Sequence, residues 1–173
     1  MERPAGGRFF EDLSTGEVIE HELGRTITQT DNIWFTLLTM NTNPMHFDAE
    51  YARASPYARP LVNSCLTLSL VTGLSVSDIS QNAMANLGWD DVRLPNPVYE
   101  GDTIRARTEV LELRESRSRP SVGVVRFKTT GYNQRGETVI EFLRTILVYK
   151  RGAAPQARRA ATGPSGAPDQ RRP

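Results

Sequence analysis

The chain has 173 residues, 38% hydrophobic and 24% charged, with a formal charge of +1. That length suits one domain with or without a tail, and near-neutrality gives no reason to expect nucleic acid or a membrane surface as partner. One cysteine (Cys65) rules out an internal disulfide, and one Cys with two distant His makes no metal-ligand cluster, so a reducing cytoplasm and no metal are expected.

In chain order, "GEVIEHELGRTITQT" alternates apolar and polar residues and reads as one or two short strands. "TDNIWFTLLTMN" follows, with Thr30 or Asp31 as cap and Ile33, Trp34, Leu37 and Leu38 at helical spacing. It should stop near Asn41, because Asn43 precedes Pro44 and is pushed out of the α region. "HFDAEYARAS" reads as a short helical turn ending before Pro56. Residues 62–79, "VNSCLTLSLVTGLSVSDI", are the longest apolar stretch, far short of the roughly 20 uninterrupted apolar residues a bilayer needs. A helix apolar most of the way round is expected to be buried.

The period then changes. "AMANLGWDDVRL", "DTIRARTEVLELRES", "SVGVVRFKTTGYNQ" and "TVIEFLRTILVYKR" read as four strands, joined at "NPVYEGD", "SRSRP" and "NQRGE". Short strands, one apolar helix and an antiparallel meander make an α+β domain over residues 1–150, a single helix wrapped by a curved sheet. Residues 151–173 hold five Arg against one Asp, four Pro and three Gly, without a large apolar side chain. That composition predicts a disordered, basic, solubilising tail. The start, "MERPAGGRFFEDL", lacks the apolar core of a signal peptide.

Four stretches together carry a resemblance. "NTNPMH" (41–46) is similar to the D-x-N-P-x-H signature of MaoC-like dehydratases and (R)-specific enoyl-CoA hydratases. "ARPLVNS" (58–64) stands where that family has R-P-I-A-H-G, "NPVYEGDTI" (96–104) resembles its P-V-x-x-G-D-T-[IL], and "FEDLSTGEVIE" resembles its opening. The likeness covers residues 9–150. It implies a hot-dog fold, a homodimer or dimer of dimers with continuous sheets, and an acyl-CoA as small-molecule substrate with no other cofactor. "LLTMNTNPMHFD" and "RPLVNS" further resemble the branch acting on branched C5 dicarboxylyl-CoA esters of the mesaconyl-CoA type.

Adding water across a thioester-conjugated C=C requires a base for the water, a proton for the α-carbon and a donor for the enolate oxygen. The resemblance assigns the first two to the signature's Asp and His, here Asn41 and His46, and the third to the N–H at the start of the apolar helix, here Ser64. Three positions depart from the family: Asn41 replaces Asp, Asn63 replaces His and Ser64 replaces Gly. An amide cannot take a proton but can orient water, so His46 must carry the transfer. A substrate carboxylate would need a cation, for which Arg59 and Arg93 are candidates. Simpler roles compete: Asn41 as helix C-cap, Asn43 as turn-former or substrate contact, Asp48 as N-cap of the next helix. Cys65 is expected to be buried and inert, and His21 to be a surface strand residue. Two other functions stand beside the hydro-lyase: an acyl-CoA thioesterase, and a non-catalytic acyl-CoA-binding protein that lost its Asp.

Overall fold

The computed structural model describes residues 6–155. Its frame is an antiparallel sheet made by β1 (Val18–Glu20), β2 (Arg25–Thr26), β3 (Ala83–Arg93), β4 (Thr103–Glu115), β5 (Val122–Tyr132) and β6 (Thr138–Tyr149). The strand order is β1-β4-β5-β6-β3, with β2 also paired to β4, so β3 lies at one edge. β4, β5 and β6 form the expected meander: β4 alternates buried and exposed residues over most of its length, whereas β5 and β6, central in the sheet, have no exposed residue.

Three helices complete the domain: α1 (Gln29–Leu38), α2 (Ala49–Arg53) and α3 (Ser64–Ser75). α3 crosses the inner face of the sheet, as the hot-dog fold requires. It approaches so closely that a Cβ on Gly131 of β5 would lie 2.6 Å from Val71 Cγ2, which explains a glycine in mid-strand. Val71, Leu74, Ile104, Ala106, Ile140 and Phe142 form the core beneath α3, and Leu13, Ile19, Ile79, Val110, Phe127 and Ile146 form a second cluster towards its far end.

The helix expected over 62–79 is α-helical only to Ser75 and continues as a π-turn over Val76–Ser80. That wider turn buries Asp78 and Ile79. Asp78 Oδ2 meets His21 Nδ1 at 2.7 Å, and His21 Nε2 meets Thr108 Oγ1 at 2.8 Å. His21 is therefore buried, contrary to the surface position expected of it. The two-residue period explains this, since His21 shares the inward face of Ile19 and satisfies both ring nitrogens there. Cys65 is also corrected: it is exposed on the first turn of α3.

The N-cap of α1 lies two residues before Thr30, the first of the two expected caps. Thr28 is the N-cap, and its hydroxyl and Asp31 form a capping box. The Thr28 hydroxyl and N–H, helped by Arg25, hold the Asp31 carboxyl below its usual range. Its exposed side is the unexpected one: Asn32 and Thr36 are buried, whereas Trp34, Leu37 and Leu38 face outwards. At the other end of the domain, Arg151 donates its N–H to Glu11, pairs with Asp12 and lies over the Phe9 ring. The rest of the expected tail, 156–173, lies outside the described residues.

Candidate active site

The loop after α1 is shaped by a Schellman motif. Met40 takes a left-handed conformation (φ 56°), its N–H bonding Leu37 O and the Asn41 N–H bonding Thr36 O. Asn41 thus caps the helix with its backbone, and its side chain is left for another task. Its Oδ1 accepts the Asn43 N–H at 3.0 Å. Because that N–H needs an acceptor, Oδ1 must face it and the Nδ2 donors must point elsewhere. Among the described residues no acceptor engages them. Asn43 is the turn-former, its Oδ1 accepting from Met45 N at the start of a 3-10 turn over Pro44–His46. Asp48 caps α2, accepting from Glu50 N and Tyr51 N.

His46 is half-buried, and its Nδ1 lies 2.9 Å from the Leu61 carbonyl oxygen. A carbonyl only accepts, so Nδ1 carries the proton of the neutral ring and Nε2 keeps a basic lone pair. Leu61 in turn sits just before α3 and its N–H donates to Met45 O at 3.1 Å, so two bonds at this residue tie the histidine loop to the helix start.

A residue that the sequence reading missed completes the tie. Asn32, buried on α1, donates from Nδ2 to His46 O (2.8 Å) and to Leu61 O (2.9 Å). Its Oδ1 accepts the Asn63 N–H at 2.8 Å. Asn63 is the N-cap of α3: its Oδ1 accepts Cys65 N at 2.9 Å, and its Nδ2 reaches Thr36 Oγ1 at 3.3 Å. Asn32 and Thr36 lie four residues apart and so share one helix face, the only signal that could have found them. Ser64 follows as the first helical residue, exposed and without positive φ. An N–H at this position has no acceptor within its own helix, and α3 has no acidic residue in its first turn to offset the positive dipole end.

The structure therefore brings His46, Asn63, Ser64 and the Asn41 loop to one end of α3. Arg59 belongs with them. Its guanidinium lies 3.6 Å over the Tyr99 ring, and Tyr99 bridges Leu61. Arg93 does not belong: it sits on β3 opposite Glu141, paired with Asp91 at 3.0 Å. An open apolar groove of about 460 Å³ runs beside α3, lined by Leu23, Phe35, Leu66, Leu70, Gly73 and Leu74 among others. Chemically, the site offers one imidazole lone pair, an amide with free donors, an unpaired backbone N–H and a cation. Among the described residues no three His, Cys, Asp or Glu gather as metal ligands, and no helix is long and apolar enough to cross a membrane.

Relatives share this arrangement of elements. A family described as mesaconyl-CoA hydratase matches residues 2–170. The chain is 39% identical over 151 residues to the mesaconyl-CoA hydratase of Cereibacter sphaeroides, covering 87% of this chain and 44% of that one. It is 37% identical over 145 residues to the beta-methylmalyl-CoA dehydratase of Chloroflexus aurantiacus, covering 84% and 41%. The chain thus spans less than half the length of these two curated relatives. Among solved structures, the MaoC-like dehydratase from Rhodospirillum rubrum superposes with a TM-score of 0.74 at 27% identity, covering 84% of this chain and 99% of that one. With its family profile running over nearly every residue, the chain belongs to the mesaconyl-CoA hydratase family.

Proposed function

We propose that this chain catalyses the reversible hydration of an enoyl-CoA, and that its substrate is a branched C5 dicarboxylyl ester of the mesaconyl-CoA type. The observation that carries the reading is His46, with Nδ1 held by Leu61 O and Nε2 left basic, on a loop bonded to the N-terminus of α3. The two curated relatives named above act on such esters, which supports the substrate class.

In the hydration direction, His46 Nε2 takes a proton from water, and the hydroxide oxygen bonds the β-carbon. The π electrons move onto the thioester oxygen, where the Ser64 N–H stabilises the enolate. The enolate then collapses, and the α-carbon takes the proton back from the imidazolium, so the net change is one water added. No oxidation level changes, and the proposal invokes no metal or redox cofactor.

A neutral Asn41 fits this substrate better than an aspartate. In a mesaconyl ester the free carboxylate is attached to the carbon that water attacks. A carboxylate at position 41, holding that water, would face the substrate's own negative charge. The Asn41 Nδ2 donors hold the water oxygen, or the carboxylate itself, without repulsion. Arg59, stacked on Tyr99, supplies the cation.

We further propose a cytoplasmic homodimer in which a second copy fills the place of the other half of the longer relatives. The outward face of α1 (Trp34, Leu37, Leu38) and the groove beside α3 are the surfaces it would cover. A panel holding crotonyl-CoA and mesaconyl-CoA, followed by loss of enoyl-thioester absorbance and by mass, tests the activity. Added water on the branched ester, abolished in a folded His46→Ala, supports the proposal. Free thiol release instead marks a thioesterase, and binding without turnover marks a non-catalytic acyl-CoA-binding protein.

A further inference from the structure

We infer that Asn32 is the positioning residue of this site: one buried amide sets the tautomer of His46 and its placement against the N-terminus of α3. The inference rests on the hydratase reading for what the site does, but not for the geometry itself.

All three described bonds of the Asn32 side chain leave its own helix. Two go to the histidine side, His46 O at 2.8 Å and Leu61 O at 2.9 Å, and one comes from the helix side, Asn63 N at 2.8 Å. The Leu61 oxygen is also the acceptor for His46 Nδ1. Asn32 and the imidazole therefore meet on the same carbonyl, whose two lone pairs are both used. Fixing that carbonyl fixes which ring nitrogen is protonated, and so which one is the base. Fixing the Asn63 N–H with the other end of the same amide fixes the turn from which the Ser64 N–H projects. The base and the oxyanion donor arrive on separate loops, 18 residues apart; the Leu61 N–H bond to Met45 O and the imidazole bond to Leu61 O hold the two loops together, and the Asn32 amide alone among these contacts also reaches the Asn63 N–H.

Packing alone does not call for an asparagine here. An apolar side chain would fill the space between α1 and α3, but it would orphan the His46 carbonyl and the Asn63 N–H, which no substitution can remove, and leave the Leu61 carbonyl held by the imidazole alone. Nor does the sequence pattern of α1 call for it, since its apolar residues lie on the opposite side. The amide is placed where only its two donors and one acceptor, in that order, match the surroundings. Thr36 extends the same face, its hydroxyl accepting from Asn63 Nδ2.

The test is Asn32→Asp, which keeps size and the acceptor for Asn63 N–H but loses both donors. His46 is observed by long-range ¹H–¹⁵N NMR, assigned with His46→Gln because the chain has only two histidines. Expected are a single Nδ1–H tautomer in the wild type and a mixture in N32D. Turnover of the ester should fall about 10²-fold in kcat, the scale on which small misplacements act, with KM within two-fold. Should N32D fail to fold, the same two readings are taken on Asn32→Ser, which keeps one donor and should lie between wild type and N32D. A wild-type tautomer in the folded variant overturns the inference, whatever happens to turnover. If no ester turns over even in the wild type, the hydratase reading fails separately, and the spectra still decide the role of Asn32.

Discussion

Asn41→Asp is the sharpest test of why this chain departs from the usual acid at that position. The substitution is isosteric, and one carboxylate oxygen can keep the Asn43 N–H bond of 3.0 Å that shapes the loop. The Schellman cap uses only the backbone of Asn41 and is untouched. What changes is the outward end, where two N–H donors become an anionic oxygen. A water held between that oxygen and the β-carbon of a dicarboxylyl ester leaves two carboxylates about 4 Å apart. At an effective dielectric of about 20 they repel by about 4 kcal/mol, and by about 1 kcal/mol if fully solvated. The expected loss in kcat/KM on mesaconyl-CoA is therefore between roughly 5-fold and 10³-fold. Crotonyl-CoA carries no free carboxylate, so its kcat/KM should hold or rise, because a second base is now present. The measurement is the ratio of the two specificity constants in wild type and N41D, at two salt concentrations, since screening should shrink the effect. An unchanged ratio would refute the electrostatic account of Asn41.

Other substitutions test the scaffold and the assembly. Gly131→Ala drives a methyl to within 2.6 Å of Val71 and 2.8 Å of Ile140, so it should cost about 2 kcal/mol and lower Tm by roughly 6 °C in a thermal melt; an unshifted melt would mean that α3 can lift freely. Asp102 is desolvated, which raises its pKa, but the bonds from Gln134, the Tyr99 N–H and Arg135 outweigh this and leave it lowered overall. Its stabilisation is then complete above its unfolded pKa near 3.9 and is lost as pH falls through the lower folded value. Urea midpoints of wild type and Asp102→Asn should therefore differ at pH 7 and converge towards about pH 2; a constant gap would assign the loss to packing. If the proposed dimer forms, Leu38→Asp should shift its sedimentation towards monomer without unfolding the chain, and a wild type that sediments as a monomer at all concentrations would remove the assembly proposal.

The elements that follow a simple period were legible. β4 alternates because one of its faces lies on the core and the other meets water, β5 and β6 show their β-branched and aromatic strand composition although neither has an exposed residue, and the connections at Gly101 and Gly136 carry the positive φ that their turns require. The histidine loop was legible for a different reason: Asn43-Pro44 and Asp48 are local punctuation, and each caps the segment it precedes. His21 was misjudged although its period was right, because a histidine in a strand reads as polar until the partners that receive it, Asp78 and Thr108, are known from 57 and 87 residues away. Asn32 was invisible on the same grounds, since its partners are backbone groups and backbone groups have no letter.

The inverted packing of α1 follows from those backbone groups. Its apolar residues Ile33, Trp34, Leu37 and Leu38 suggest a helix pressed onto a core, yet Trp34 is 66% exposed and Leu38 77% exposed, while Asn32 and Thr36 are buried. What α1 meets is not apolar sheet but the ends of two loops, with His46 O, Leu61 O and Asn63 N all seeking partners. Turning the apolar stripe inwards would strand His46 O and the Asn63 N–H at about 1–3 kcal/mol each and leave Leu61 O with His46 Nδ1 alone. Burying Trp34, Leu37 and Leu38 is worth roughly 1.5–3 kcal/mol each, so both demands are met together only if the polar groups are satisfied within the domain and the apolar stripe is covered from outside. The helix therefore shows its polar face to its own site. Its apolar face remains outside, so the orientation that bonds Asn32 to the histidine loop also leaves exposed the surface proposed for a second subunit.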